Sequence, residues 1–126
     1  MSGRFLKLAV VAFVASVGVG LFMGIAHDRS YVSLHSHLAL LGWVSMALFA
    51  AVYRLWPRLG SGWLPKSHFW LYTVGFFVTV IALALLESGN VGVGDPLAAV
   101  GSTIAGLGVV CFAAQVLRSD VFATAS

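Results

Sequence analysis

Charged side chains are scarce in this sequence. Asp, Glu, Lys and Arg make up 9% of its 126 residues, whereas 60% of the residues are hydrophobic. A soluble globular domain has about a quarter charged residues and about half apolar ones. A water-soluble fold of 126 residues could not bury so many apolar side chains away from water. The sequence therefore predicts a protein whose solvent is the lipid bilayer.

Cysteine and grouped catalytic side chains are also nearly absent. The single cysteine, Cys111, excludes an intrachain disulfide, and no Cys-x-x-Cys-His motif is present to attach a haem covalently. The sequence shows no nucleophile next to a base, no phosphate-binding loop and no acid pair in a shared site. We therefore expect no catalytic residues. The net charge of +3 comes from basic residues at the ends of apolar runs, which argues against nucleic-acid binding.

Four apolar runs fill most of the chain, each near the ~20 residues that a helix needs to cross the hydrocarbon. They are residues 5–26, 34–55, 69–86 and 97–117. The segment 88–96 is predicted to be a flexible loop that places Pro96 at the start of the fourth helix. The first run is longer than the apolar part of a signal peptide, so we expect it to be retained. The sequence predicts one all-α membrane domain, a four-helix bundle over residues 1–126.

The distribution of basic residues predicts the orientation of this bundle. Six of the seven lysines and arginines lie on one predicted side, at positions 4, 7, 54, 58, 66 and 118, and only Arg29 lies on the other. Lys and Arg are enriched in cytoplasmic segments. Both termini are therefore predicted to be cytoplasmic, and the first and third loops are predicted to face outward.

Small residues at helical spacing predict close contacts between the helices. They occur as Gly20-x-x-x-Gly24 in the first run and as Ser102-x-x-x-Gly106 in the fourth, where Gly101, Ala105 and Gly108 also lie. This spacing indicates packing without indicating what is packed.

Four histidines are the only candidate metal ligands, since cysteine clusters and carboxylates within the apolar runs are lacking. His68 is expected at the cytoplasmic interface, at the start of the third helix. His27 is expected to cap the outer end of the first helix. His35 and His37 lie in the first turns of the second helix, where a polar side chain needs a partner.

Helical geometry separates His35 and His37. At about 100° per residue they point about 200° apart, so one helix cannot direct both imidazoles to one metal. They serve either two sites or one kind of site repeated between subunits. The His35 face continues as Ala39, Gly42 and Met46, and the His37 face continues as Leu41, Val44 and Leu48. Gly42 then marks either a groove for a flat macrocycle or a close helix contact.

The segment from His35-Ser-His37-Leu-Ala-Leu-Leu-Gly42-Trp43-Val to Tyr53-Arg54-Leu-Trp-Pro57 resembles the haem–copper oxidase catalytic subunit, cytochrome c oxidase, and its small four-helix bacterial relatives. That subunit has three arcs of four helices, and histidines near the outer end of the second helix of an arc bind haem. The resemblance implies that this chain equals one arc and that three copies rebuild the ring.

The same resemblance implies a b-type haem held between protomers by His35 of one copy and His37 of the next, with Gly42 beside the macrocycle. It implies electron transfer or redox or haem sensing in a bacterial inner membrane. Oxygen reduction is not implied, because the second histidine cluster and the intramembrane acid of the oxidases are missing from the sequence.

Two alternatives stay open from the sequence. One is an accessory or assembly protein that binds copper at the outer face through His27, His35 and His37, which are ligands that suit copper or zinc equally. The other is a structural membrane subunit without a cofactor, in which the histidines lie at the interface. The sequence leaves the redox partner, quinone binding and the oligomer number undecided.

Overall fold

The computed structural model describes residues 1–121, which form an all-α fold of four long helices. These are α1 (Ser2–Ala26), α2 (Val32–Leu55), α3 (Trp63–Glu87) and α4 (Val91–Arg118). A short 3₁₀ turn, Pro57–Gly60, connects α2 to α3. Each of the four helices is long and apolar enough to cross a bilayer. The predicted class and number of helices are confirmed, and the chain is a multi-pass membrane protein.

The helices are longer than the apolar runs. α3 begins at Trp63, six residues before the predicted position 69, and α4 begins at Val91, six before position 97. The predicted loop at 88–96 is therefore wrong, and Pro96 lies inside α4. Pro96 has no N–H to donate to the Gly92 carbonyl, so α4 lacks this one backbone hydrogen bond.

Packing explains the early start of α4. A tight turn, in which Gly89 has φ 105°, joins α3 to α4. Gly94 is buried, and a Cβ at this position would lie 2.7 Å from Leu86 Cγ and 3.0 Å from the Ala82 carbonyl oxygen. The turn and this close contact favour helical backbone from the first residue after the loop.

Small residues bring α3 and α4 together. A Cβ on Gly75 would lie 2.3 Å from the backbone nitrogen of Ala105, and a Cβ on Gly108 would lie 2.6 Å from that of Tyr72. Gly106 behaves differently, because nothing lies within 4 Å of a Cβ built there. The contact surface of α4 is thus the buried stripe Gly94, Gly101, Ala105 and Gly108, and the Ser102-x-x-x-Gly106 spacing points away from it.

The core of the bundle consists of apolar and aromatic side chains from all four helices, including Phe5, Met46, Phe49, Tyr72 and Phe76. Large apolar side chains also cover the outside of the bundle, for example Ile25 and Leu117, which are 80% and 83% exposed. In water such a surface would be unstable, whereas lipid accommodates it.

The second helix is irregular. It is α-helical over Val32–His37, a π-helix over Leu38–Val44 and α-helical again over Ser45–Leu55. A π-helix has i→i+5 hydrogen bonds and occurs often at functional sites. The Tyr72 hydroxyl of α3 donates a hydrogen bond to the Leu41 carbonyl at 2.7 Å, and Ser45 Oγ donates to the Leu40 carbonyl at 2.7 Å. These side chains stabilise the wide turn.

Candidate functional site

The first turns of α2 carry the two histidines that the sequence singles out. His35 and His37 lie in the short α-helical segment Val32–His37 directly before the π-helix, and both side chains are half-buried. Each of them makes its own set of hydrogen bonds, and those bonds decide which ring nitrogen is free.

His35 packs against α1. Its Nδ1 lies 2.7 Å from the Ser16 carbonyl oxygen, and the Ser16 hydroxyl donates a hydrogen bond to the His35 carbonyl at 3.1 Å. The ring lies over Gly20, where a Cβ would approach His35 Cε1 to 3.0 Å. Of the predicted pair Gly20 and Gly24, only Gly20 makes a close contact, and it makes room for an imidazole.

His37 is held within its own helix. Its Nδ1 lies 2.8 Å from the Ser33 carbonyl oxygen, one turn earlier. The side chain lines a shallow groove with Ser36, Leu40 and Leu41. His37 therefore lies beside a different surface from the α1 contact of His35.

These bonds fix the tautomer of both imidazoles. A carbonyl oxygen only accepts hydrogen bonds, so Nδ1 of His35 and Nδ1 of His37 both carry the proton. In a neutral imidazole the other nitrogen, Nε2, then has a free lone pair. A histidine that donates from one nitrogen to a carbonyl and binds with the other is the usual arrangement of a metal ligand.

The π-helix changes which residues follow the histidines. The buried positions of α2 recur every four residues, at Leu34, Leu38, Gly42 and Met46, because a π turn is wider than an α turn. The exposed stripe is Leu40, Val44 and Leu48, which are 60%, 42% and 60% exposed. The predicted faces assumed a regular α-helix, and each differs from the observed stripe at one position: Leu38 is buried in place of Ala39, and Leu40 is exposed in place of Leu41.

Gly42 lies at a helix contact. A Cβ at this position would lie 2.5 Å from Ala12 Cβ and 2.9 Å from Phe76 Cζ. Side chains of α1 and α3 thus fill the groove that was expected to take a macrocycle. Of the two interpretations of Gly42, close helix packing is the one that the structure shows.

His27 is more exposed than His35 and His37. It ends α1 in the left-handed conformation, with φ 52°, and is exposed. Among residues 1–121, no three His, Cys, Asp or Glu side chains come together as a metal site. The three-histidine copper site of the alternative hypothesis is therefore not assembled within one chain.

Comparison with known proteins identifies the family. The sequence profile described as "Cytochrome C and Quinol oxidase polypeptide I" matches residues 4–94, which is most of the chain and includes α1, α2 and α3. The chain belongs to the cytochrome c and quinol oxidase polypeptide I family. The suspected resemblance to haem–copper oxidases is confirmed.

Three relatives show how much of an oxidase polypeptide the chain represents. It is 34% identical over 82 residues to cytochrome c oxidase polypeptide 1 of Halobacterium salinarum, an alignment that covers 62% of this chain and 13% of the relative. It is 32% identical over 83 residues to cytochrome c oxidase subunit 1 of Bacillus sp. strain PS3, covering 55% and 14%.

The third relative is the Cbb3-type cytochrome c oxidase subunit CcoN1 of Stutzerimonas stutzeri, 30% identical over 103 residues, covering 72% of this chain and 21% of the relative. The chain thus spans between about an eighth and a fifth of the length of these relatives. No solved structure matches it.

His68 is a histidine whose position the sequence predicted wrongly. It is 0% exposed and packs among the rings of Phe5, Phe49 and Phe112. Its Nδ1 is hydrogen-bonded to the Tyr53 hydroxyl at 2.8 Å, and its Nε2 has no partner among the described residues. The expectation of an interfacial residue is wrong because α3 begins five residues earlier, at Trp63, and carries His68 into the core. Tyr72 follows His68 by one helical turn, and this i, i+4 spacing is the sequence signal that could have placed His68 inside α3.

The Tyr53–His68 bond gives a direct prediction for stability. Tyr53→Phe keeps the ring but leaves His68 Nδ1 unpaired in the core, so we expect the free energy of unfolding to fall by about 1–3 kcal/mol. Unfolding in a detergent titration measures this change. Tyr31→Phe is the matched control, since Tyr31 is only half-buried. Equal stability of the two variants would contradict the prediction.

Proposed function

We propose that this chain is a haem b-binding membrane protein in which two histidines bind each iron. His35 of one protomer and His37 of the next supply the axial imidazoles, in a homo-oligomer for which a trimer fits the three-arc resemblance best. The proposed role is electron transfer or redox or haem sensing.

The observation that carries this proposal is the hydrogen bonding of the two imidazoles. Both rings give their Nδ1 proton to a backbone carbonyl, at 2.7 Å for His35 and 2.8 Å for His37, and so both have a free Nε2. Neutral imidazole oriented by such a bond is a suitable axial ligand for haem iron. The family membership and the names of the relatives as cytochrome c oxidases support haem as the group that is bound.

The placement of the two rings supports a shared site between protomers. His35 lies against Ser16 and Gly20 of α1, whereas His37 lies beside the exposed stripe of Leu40, Val44 and Leu48. Two nitrogens on different sides of one helix can meet one iron only if a second copy contributes the other ligand. In a cyclic assembly every interface joins two different surfaces of the same chain, as this pairing requires.

Two axial imidazoles also favour a redox or sensing role over oxygen reduction. Haem would supply a one-electron couple when it is bound, and His35 and His37 would hold its iron through two imidazole nitrogens, which suits electron transfer. What the chain contributes is a fixed tautomer, a fixed ring orientation and an apolar surrounding.

The membrane orientation is part of the same proposal. Cytoplasmic termini are supported by the six basic residues at positions 4, 7, 54, 58, 66 and 118, because Lys and Arg are enriched in cytoplasmic segments. In this orientation the histidine turn lies near the outer face of a bacterial inner membrane.

Absorption spectra of detergent-purified protein, oxidised and then reduced, test the proposal. We expect a Soret band and, on reduction, the sharp α band of low-spin haem, at about one haem per chain, since a closed ring has as many interfaces as protomers. Metal analysis of the same sample follows iron and copper together. Colourless protein from cells supplied with haem would refute haem binding, and copper near stoichiometry would favour a copper site between protomers instead.

A further inference from the structure

One peptide group in α2 is bound from both sides. Its carbonyl, that of Ser33, accepts the proton of His37 Nδ1 at 2.8 Å. Its N–H, that of Leu34, donates to the Glu87 carboxylate, whose Oε1 and Oε2 both lie at 3.2 Å. Since the C=O and N–H of a peptide group share one conjugated plane, the carboxylate and the imidazole are connected through a single rigid unit.

The position of Glu87 is unfavourable for its own helix. Glu87 is the last residue of α3, and a negative charge at a helix C-terminus opposes the macrodipole. Its carboxylate instead lies at the N-terminus of α2, where Leu34 N–H is one of the donors without an intrahelical acceptor. A negative charge is favourable at that end. The half-buried Glu87 carboxylate therefore stabilises the N-terminus of α2, the helix that carries the histidines, and not its own helix α3.

The turn after Glu87 holds it in place. The backbone N–H groups of Ser88, Gly89 and Asn90 donate to carbonyls of the last turn of α3, at distances of 3.2, 3.1 and 2.8 Å. The backbone of the carboxylate-bearing residue is thus fixed by its own helix end while the side chain reaches across to α2.

We propose that Glu87 is a positioning residue for His37, acting through the Ser33–Leu34 peptide group as a relay from carboxylate to peptide to imidazole. The carboxylate polarises the peptide, which makes the Ser33 carbonyl a stronger acceptor for Nδ1–H, because hydrogen bonds in a chain strengthen one another. A stronger bond at Nδ1 fixes the ring and makes Nε2 a better electron donor, as carboxylates do directly in many metal sites. The role of Nε2 as an iron ligand rests on the proposed function, whereas the relay itself does not.

The two imidazoles differ in this respect. His35 donates to the Ser16 carbonyl, which belongs to α1 and whose peptide lies inside that helix. The relay therefore acts on His37 alone, so the two ligands of one iron would differ in donor strength.

Three variants separate the position of Glu87 from its charge. Glu87→Gln keeps a carbonyl acceptor for Leu34 N–H and removes the charge, whereas Glu87→Ala removes both. Asp95→Asn is the control, because Asp95 is an exposed acid a few residues further along the chain, at the same end of the bundle. The measurements are hydrogen exchange at the Leu34 amide, ¹⁵N NMR of the His37 ring in detergent, and the midpoint potential of haem-loaded protein.

We expect Glu87→Gln to keep the Leu34 amide protected and to raise the potential, since a weaker donor stabilises ferric iron less. A threefold change in the ferric-to-ferrous ratio corresponds to about 28 mV for one electron. Glu87→Ala is expected to lose the protection of Leu34 and to weaken the His37 Nδ1–H signal. Asp95→Asn is expected to change none of the three: the protection of the Leu34 amide, the His37 ring signal and the midpoint potential.

The proposal is overturned if Glu87→Ala leaves both the Leu34 amide and the His37 ring signal as they are in Asp95→Asn. A potential in Glu87→Gln equal to that of Asp95→Asn overturns the electronic part. If the wild-type protein binds no haem, the proposed function fails, but exchange and NMR on the haem-free protein still decide whether Glu87 holds the histidine turn.

Discussion

His35→Ala chains and His37→Ala chains, each without haem when expressed alone, are expected to regain haem when they are expressed together. The proposed site takes His35 from one protomer and His37 from the next. An interface can therefore bind haem when the first chain still has His35 and its neighbour still has His37. When the two chains mix at random in a closed ring, about a quarter of the interfaces meet this condition. The recovered Soret absorbance and the low-spin signal measure that fraction.

The physical reason is the divergence of the two rings. His35 is fixed to Ser16 on α1, and His37 is fixed to the Ser33 carbonyl beside the exposed stripe of α2. In the proposed site, loss of either imidazole would remove one ligand from every iron, so each single variant should lose the low-spin species completely. His27→Ala is the matched single-site control. His27 is exposed and ends α1, at the end of the bundle where α2 begins. This variant should keep full absorbance.

The control for mixing is a chain that carries both replacements. Co-expressed with either single variant, it leaves one of the two imidazoles missing at every interface, and no haem should return. If the two single variants together stay colourless while the wild type is red, the shared site is wrong and each haem lies within one chain. If both single variants alone keep their haem, the assignment of His35 and His37 is wrong.

Gly75→Ala is expected to destabilise the bundle strongly. A Cβ at position 75 would lie 2.3 Å from the Ala105 nitrogen, 2.7 Å from its Cα and 2.8 Å from its Cβ. Because two of these three atoms are backbone, no side chain can move aside, and α3 and α4 must separate along their contact. Overpacking of this kind costs about 1–3 kcal/mol, and here we expect the upper end of that range. The midpoint of unfolding in a detergent titration measures it.

Gly106→Ala is the matched control on the opposing helix. Gly106 lies one residue after Ala105, and nothing lies within 4 Å of a Cβ built there. Alanine is the better helix former by up to about 1 kcal/mol, so this variant should be as stable as the wild type or slightly more so. If Gly75→Ala and Gly106→Ala unfold at the same midpoint, the close approach of α3 to α4 at Gly75 is wrong.

The membrane character of the protein and its number of helices could be predicted from composition because they depend only on local sums of hydropathy. A stretch of about 20 apolar residues has few stable alternatives to a membrane helix. The histidine pair could be found for a related reason, since a polar side chain in such a stretch is conspicuous. Its divergence followed from helical geometry alone.

The ends of the helices were predicted less well. Hydropathy does not distinguish a polar loop from a polar helical turn, and the segment Val91–Asp95 before Pro96 looks like a loop by its glycines. The contact of Gly94 with Leu86 and Ala82 makes it helical instead. The same limitation placed His68 at a helix start.

The sequence by itself determined that the chain has four helices long and apolar enough to cross a bilayer and that His35 and His37 project to different sides of one helix, because both properties follow from residue types and their spacing. Only the tertiary structure decided that Nε2 is the free nitrogen of both rings, that Gly42 is a packing residue, and that His68 is buried against Tyr53. The bond of His37 to the Ser33 carbonyl is local, but it depends on the side-chain rotamer that the folded structure selects. The contacts of His35, Gly42 and His68 depend on residues distant along the chain, which the local pattern does not encode. Glu87 and Leu34, 53 residues apart in the sequence, meet for the same reason.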